Sequence, residues 1–134
     1  MSQNLNLVSK WMKTFKQPVS QGFTDKKHLL LGMKLIIEES YELMAEVHKM
    51  TNDEGDKDHF VKELGDLLWV VYWLSAHVGV DVDSVMFELY KSNMSKLDDN
   101  GQPIFREDGK ILKGSHYEEP KLDDIVDRIP ISFA

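Results

Sequence analysis

Two pairs of acidic residues in this chain have a spacing that could bind a metal ion. Glu39 and Glu42 lie three residues apart, and Glu63 and Asp66 repeat that spacing about twenty residues later. Residues three or four apart project from the same side of an α-helix. The second pair opens the most apolar stretch of the chain, KELGDLLWVVYWL (residues 62–74). An unpaired carboxylate buried there would be costly or would stay protonated, so these acids are expected to be paired or to bind a cation.

Four carboxylates on two neighbouring helices would repel one another unless a cation lay between them. Mg²⁺ prefers carboxylate oxygens, and helical bundles build ion sites from inward-pointing acids on facing helices. The alternative is that each pair is an ordinary solvated helix face. A metal site is favoured because the second pair lies on the most apolar segment and a short turn joins the two segments. We therefore predict a Mg²⁺ site, with Mn²⁺ as an alternative ion, formed by Glu39, Glu42, Glu63 and Asp66.

The segments that carry these acids are predicted to be helices. Apolar residues recur with a helical period over residues 25–50. Residues 58–78 contain aromatic and β-branched residues that would also suit a strand, but the segment is too long for a typical strand. A helix that is apolar on all sides belongs in the centre of a bundle. Shorter helices are predicted over residues 5–16 and after Asp81 or Asp83.

The C-terminal part of the chain has a different pattern. Asp108-Gly109 joins IFRE to KILK, which predicts a β-hairpin with a type I′ turn. The last residues are weakly patterned and are expected to pack on the domain or on a partner. The predicted fold is one all-α domain over residues 1–134. It consists of a bundle of four to five helices over about residues 5–97, followed by a small β-hairpin and tail over about residues 98–134.

Composition narrows the class of protein and its partners. The 134 residues include 23 acids against 16 Lys and Arg, a net charge of −7, which argues against nucleic-acid binding because that needs a basic surface. The phosphates of a nucleotide can still be bound by a few lysines and a divalent metal. The chain has no cysteine, which excludes a disulfide framework and a thiolate metal site. No apolar run reaches the roughly 20 residues that span a membrane, so we expect a cytoplasmic protein without a membrane partner.

The combined acidic motifs resemble the all-α NTP pyrophosphatase superfamily. This superfamily includes MazG-like, dimeric dUTPase-like and phosphoribosyl-ATP pyrophosphohydrolase-like proteins, and its signature is Glu-Glu-x-x-Glu on one helix followed by Glu-x-x-Asp on the next. The chain has EESYE at residues 38–42 and ELGD at residues 63–66. SNMSKLDDNG and DGKILKGSHYEEP are also similar to the end of the fourth helix and the following loop in the phosphoribosyl-ATP branch. The resemblance covers roughly residues 28–120.

This resemblance implies a reaction and a set of site residues. The reaction is Mg²⁺-dependent hydrolysis between the α and β phosphates of a (deoxy)nucleoside triphosphate, which gives the monophosphate and pyrophosphate. By motif position, the four acids named above would hold the ion, and Glu38 would be the base for the attacking water, although a solvated surface glutamate is its alternative role. The candidates for substrate binding are Lys91, Asn93, Lys96, Lys110 and Lys113. The helix-end lysines among them could instead merely complement the helix dipole.

Two further expectations concern assembly and competing functions. A helix that is apolar all round needs more cover than three other short helices provide, so we predict a homodimer or a homotetramer. Related proteins are also oligomeric. Hydrolysis of phosphoribosyl-ATP is the enzymatic alternative. A non-catalytic helical module that binds a metal or a nucleotide is the alternative from another class.

Overall fold

The structure, a computed structural model, describes residues 2–133 and contains five α-helices within that range. These are α1 (Gln3–Thr14), α2 (Lys26–Thr51), α3 (Lys57–Val78), α4 (Val82–Met94) and α5 (Asp123–Asp127). The all-helical class and the number of helices agree with the sequence prediction. No helix within the described range is both long enough and apolar enough to cross a membrane.

The chain divides into two compact units. The first contains the chain up to Asp81 together with the C-terminal residues from Ile129, and the second contains Val82–Arg128. The first unit therefore holds α1, α2 and α3, and the second holds α4 and α5. That all 134 residues act as one domain remains a prediction.

Helices α2 and α3 form the framework of the first unit. Asp25 caps the start of α2, where its side chain accepts a hydrogen bond from the backbone N–H of His28. Gly79, in a left-handed conformation with φ +85°, ends α3. Gly32 near the start of α2 faces Trp73 near the end of α3. Since residues 52–56 join the other ends of the two helices, α2 and α3 run antiparallel.

Helix α1 packs on α3 and supplies much of the core. Leu5, Val8 and Met12 of α1 are buried together with Trp73 and Ala76 of α3. The loop that follows α1 then covers the end of α3, where the backbone N–H groups of residues 20–22 donate to the last helical carbonyls. These bonds satisfy carbonyls that have no partner inside the helix.

The C-terminal residues from Ile129 pack within the first unit. The backbone N–H of Ile131 donates to the Gly79 carbonyl at 2.8 Å, and the Ser20 hydroxyl donates to the Ile131 carbonyl at 2.6 Å. Phe133 is buried. Packing on the same chain was one of the two locations expected for this tail, and residues 129–133 make such contacts.

The predicted β-hairpin is wrong. Within the described residues the segment has a single isolated antiparallel bridge, between Phe105 and Ile111, and no strand. Gly109 has φ +91°, whereas Asp108 does not have a positive φ. A type I′ turn needs a positive φ at both central residues, so this turn is not type I′. The turn forms, but Phe105 and Ile111 remain 62% and 40% exposed. An isolated two-stranded hairpin without a buried face is marginal in water, which explains why the pairing stops after one bridge.

Candidate metal centre

The antiparallel pairing of α2 and α3 brings the two acidic motifs together. Glu39 and Glu42 lie one helical turn apart on α2, and Glu63 and Asp66 lie one turn apart on α3. One carboxylate oxygen from each of these residues lies within 4.8 Å of those from the other three. We call these four residues the acid cluster. Glu42 is exposed and the other three are half-buried, so the cluster is open to solvent on one side.

Two oxygens of the acid cluster are buried without a hydrogen bond. Glu39 Oε2 and Glu63 Oε2 have no hydrogen-bond partner among the residues that the structure describes. A buried carboxylate oxygen without a donor costs free energy unless a cation is near it. Four carboxylates with two such oxygens are a donor set suited to a hard divalent cation such as Mg²⁺.

Crowding and burial shift the protonation of the acid cluster. The pKa of Glu39 is raised to about 7, mainly because the carboxyl group is buried. A hydrogen bond with Glu42 and the negative charges of Glu42, Asp66 and Glu63 contribute to the same shift. Burial also raises the pKa of Glu63, assisted by a hydrogen bond with Glu42 and partly offset by the positive charge of Lys62. The folded chain without an ion therefore favours partial protonation of the cluster, as expected for like charges held together.

Lys62, for which the sequence predicted no role, contacts the acid cluster directly. Its Nζ donates to Asp66 Oδ2 at 2.6 Å and lies 3.6 Å from Glu63 Oε1. The hydrogen bond with Asp66 and the charges of Asp66 and Glu63 raise the pKa of Lys62. The four-residue spacing from Lys62 to Asp66 on one helix could have revealed this ion pair in the sequence.

Glu46 is an acid on α2 for which the sequence predicted no role. It lies one turn beyond Glu42 on α2 and is only 7% exposed. Its Oε1 pairs with Lys49 Nζ at 3.2 Å, while its Oε2 is buried without a hydrogen-bond partner among residues 2–133. The sequence feature that could have identified Glu46 is its position four residues after Glu42, on the same side of the helix.

Glu38 lies outside the acid cluster. It is exposed on α2 and is not among the four residues whose oxygens converge. Neighbouring residues on a helix point about 100° apart, so Glu38 and Glu39 face different directions.

The substrate-binding candidates all lie in the second unit. Lys91, near the end of α4, pairs with Glu88 at 2.8 Å and lies 5.0 Å from the centre of the Phe87 ring. The Nζ of Lys113 lies 4.5 Å from the centre of the Tyr117 ring. Lys96 is half-buried and the other candidates are exposed; these are Lys91, Asn93, Lys110 and Lys113.

A small cavity of about 90 Å³ lies beside the end of α4 in the second unit. Lys91 lines this cavity, together with Glu118 and Lys121. Ser92, which is buried, also lines it and donates its hydroxyl hydrogen to the Glu118 carbonyl at 2.7 Å. The other four substrate-binding candidates are not among its lining residues.

Comparison with known proteins identifies the family. The model of the MazG nucleotide pyrophosphohydrolase domain matches residues 27–99, which is more than half of the 134-residue chain and includes both acidic motifs. No curated protein matches the chain. The enzymes of the matched family are metal-dependent and act on nucleotides, which agrees with the chemistry of the acid cluster. The chain belongs to the MazG nucleotide pyrophosphohydrolase domain family.

Proposed function

We propose that this protein is a Mg²⁺-dependent nucleoside triphosphate pyrophosphohydrolase that cleaves between the α and β phosphates. The products are the nucleoside monophosphate and pyrophosphate. The observation that carries the proposal is the convergence of four carboxylates from two helices, with two buried oxygens that lack hydrogen bonds. Membership of the MazG family supports the reaction class.

The acid cluster would hold the divalent ion. When bound, Mg²⁺ would polarise the phosphoryl oxygens and offset the charge that develops on them during hydrolysis. The protein's own contribution is to hold Glu39, Glu42, Glu63 and Asp66 on two packed helices, so that the ligands are arranged before the ion arrives. Such preorganisation limits the rearrangement needed on binding.

Glu38 is proposed as the general base that accepts a proton from the attacking water. A general base must lie within hydrogen-bond reach of that proton. Glu38 is the candidate because it lies next to the proposed metal ligand Glu39 on α2. The five polar residues of the second unit are proposed to bind the triphosphate and sugar, since an ammonium group is a compact donor to phosphate. They are Lys91, Asn93, Lys96, Lys110 and Lys113.

The assay for this proposal measures pyrophosphate release from a panel of nucleoside and deoxynucleoside triphosphates, with phosphoribosyl-ATP as a further substrate. We expect turnover that requires Mg²⁺ and falls more than about 100-fold in Glu63→Gln, because even the outer partners of metal ligands cost 10- to 100-fold when removed. Glu107→Gln, an exposed position in the second unit, serves as the control for loss of one carboxylate. If no substrate turns over while Mg²⁺ still raises the melting temperature, the protein is a non-catalytic metal-binding module.

We also propose that the protein assembles as a homodimer or a homotetramer. Helix α2 carries a stripe of large apolar side chains that are each at least 41% exposed: Met33, Ile37, Tyr41, Met44 and Val47. Leu64 and Leu68 on α3 are each 51% exposed. A contiguous apolar surface of this kind is typical of an interface, and a second copy of the chain is the proposed partner.

A further inference from the structure

Lys62 is the one basic side chain that forms an ion pair with the acid cluster within residues 2–133. Its Nζ lies 2.6 Å from Asp66 Oδ2 and 3.6 Å from Glu63 Oε1. The Lys62 side chain is 64% exposed, so packing does not hold it in place. Attraction to the carboxylates is therefore the main reason for its position.

The single ammonium offsets only part of the charge of the acid cluster. Four carboxylates contribute oxygens within 4.8 Å of one another, and two buried oxygens, Glu39 Oε2 and Glu63 Oε2, lack hydrogen bonds among the described residues. An ion pair between residues four apart on an exposed helix face contributes little to stability. Lys62 is thus close enough to stabilise the cluster and held loosely enough to leave it.

A divalent ion and the Lys62 ammonium would compete for the Asp66 carboxylate. The ion would need an Asp66 oxygen, and Oδ2 already accepts a hydrogen bond from Lys62. Two cations near the same carboxylate also repel each other. Binding of the ion therefore competes with the contact between Lys62 and Asp66.

We propose that Lys62 is an exchangeable counter-cation of the acid cluster. Without a divalent ion, its ammonium holds Asp66 and Glu63 against their mutual repulsion. When the ion binds, the ammonium leaves Asp66 and becomes available at the solvent-exposed edge of the site, where it contacts a phosphate of the substrate. This role rests on the proposed function, and it makes Lys62 both a competitor of the metal and a positioning residue for the polyphosphate.

The first test measures binding of Mn²⁺ alone by isothermal titration calorimetry, without nucleotide. Lys62→Met keeps an unbranched side chain and removes the charge, so we expect it to bind Mn²⁺ about 3- to 10-fold more tightly than the wild type. Without any divalent ion, the same variant is expected to melt at a lower temperature. Lys57→Met changes an exposed lysine in the first turn of α3, makes the same change in net charge and should leave Mn²⁺ affinity within about 2-fold.

The second test measures steady-state kinetics at saturating Mg²⁺. We expect Lys62→Met to raise the KM for the nucleotide several-fold with a smaller change in kcat, and Lys62→Arg to restore most of the KM. If Lys62→Met binds Mn²⁺ no more tightly than the wild type, or if its KM is unchanged, the exchange is refuted while the metal-dependent function stands. If the wild type binds no Mn²⁺, both the exchange and the proposed function are refuted.

Discussion

The protonation of single carboxyl groups links the acid cluster to the stability of the protein. Glu39 has a pKa of about 7 in the folded chain because it is buried beside other acids, against an ordinary value of 4.5. A folded-state pKa above the unfolded value means that the folded chain binds the proton more tightly between these two pH values. The stabilising contribution of the protonated carboxyl is therefore complete below about pH 4.5 and is lost as the pH rises through about 7.

We expect this linkage to appear in thermal unfolding of the metal-free protein. In the presence of a chelator, the melting temperature should fall as the pH rises from 5 to 7.5, and Glu39→Gln should flatten that dependence because glutamine does not titrate. Glu38→Gln, an exposed neighbour, is the matched control and should keep the wild-type slope. A wild-type melting temperature that rises over this pH interval in the absence of metal would contradict the assignment.

The residues of the acid cluster could be predicted at this scale, whereas the contact of Lys62 with them was missed. Glu39, Glu42, Glu63 and Asp66 follow a fixed spacing on two helices, and helix geometry alone is enough to place each pair on one face. The Lys62 ion pair obeys the same spacing rule, but most such pairs are solvated surface contacts, and the sequence does not show which ones adjoin a crowded site.

Close contact between α2 and α3 fixes the distance across which the acids meet. Gly32 is buried on α2, and a Cβ atom added there would lie 2.8 Å from Leu74 Cδ1 and 3.2 Å from Trp73 Cζ3. Trp73 is only 2% exposed and has little freedom to move. The absence of a side chain at Gly32 therefore lets the two helices approach, and the same pairing positions the acid cluster further along.

We expect Gly32→Val to lower the free energy of unfolding by about 1–3 kcal/mol, the usual cost of overpacking a core. Gly65→Ala is the matched control, because a Cβ there meets nothing within 4 Å and alanine favours the helix over glycine by about 1 kcal/mol. Urea unfolding in the presence of a chelator measures both variants. Equal or greater stability of Gly32→Val would show that the helices do not pack as described.

The sequence predicts the helices better than the segment that follows α4. The four longer helices have sustained periodic patterns and recognisable ends, such as Asp25 at the start of α2 and Gly79 at the end of α3. Asp108-Gly109 signals a reversal of the chain, and a turn does occur there. Turn residues do not indicate whether the flanking residues bury an apolar face against the rest of the protein. Within the described range the segment has no such buried face, which explains why no hairpin extends from the turn.

At the scale of the whole molecule, several large apolar side chains of the long helices are exposed among the residues that the structure describes. The sequence pattern of α2 predicts an apolar stripe, but Ile37 and Met44 on that stripe are 46% and 53% exposed. Periodicity identifies which residues share a face and does not identify what covers it. A second copy of the chain accounts for this exposure most simply, since the same face on both copies can pair about a two-fold axis.

Sedimentation equilibrium at micromolar concentration tests this assembly. We expect the wild type to be a dimer or a larger symmetric oligomer, and Ile37→Glu to weaken association by at least 10-fold, about 1.4 kcal/mol, because it places a charge in the proposed interface. Asn100→Glu adds the same charge at an exposed loop position and should leave the assembly unchanged. A stable wild-type monomer at these concentrations would refute the proposed assembly.

The most direct measurement of the central claim is anomalous X-ray diffraction from crystals of this protein grown with Mn²⁺. We expect an anomalous peak between α2 and α3 within ligand distance of carboxylate oxygens from Glu39, Glu42, Glu63 and Asp66. Crystals at full Mn²⁺ saturation with no peak at that position, or with these side chains turned away from one another, would contradict the claim that the four acids form one metal centre.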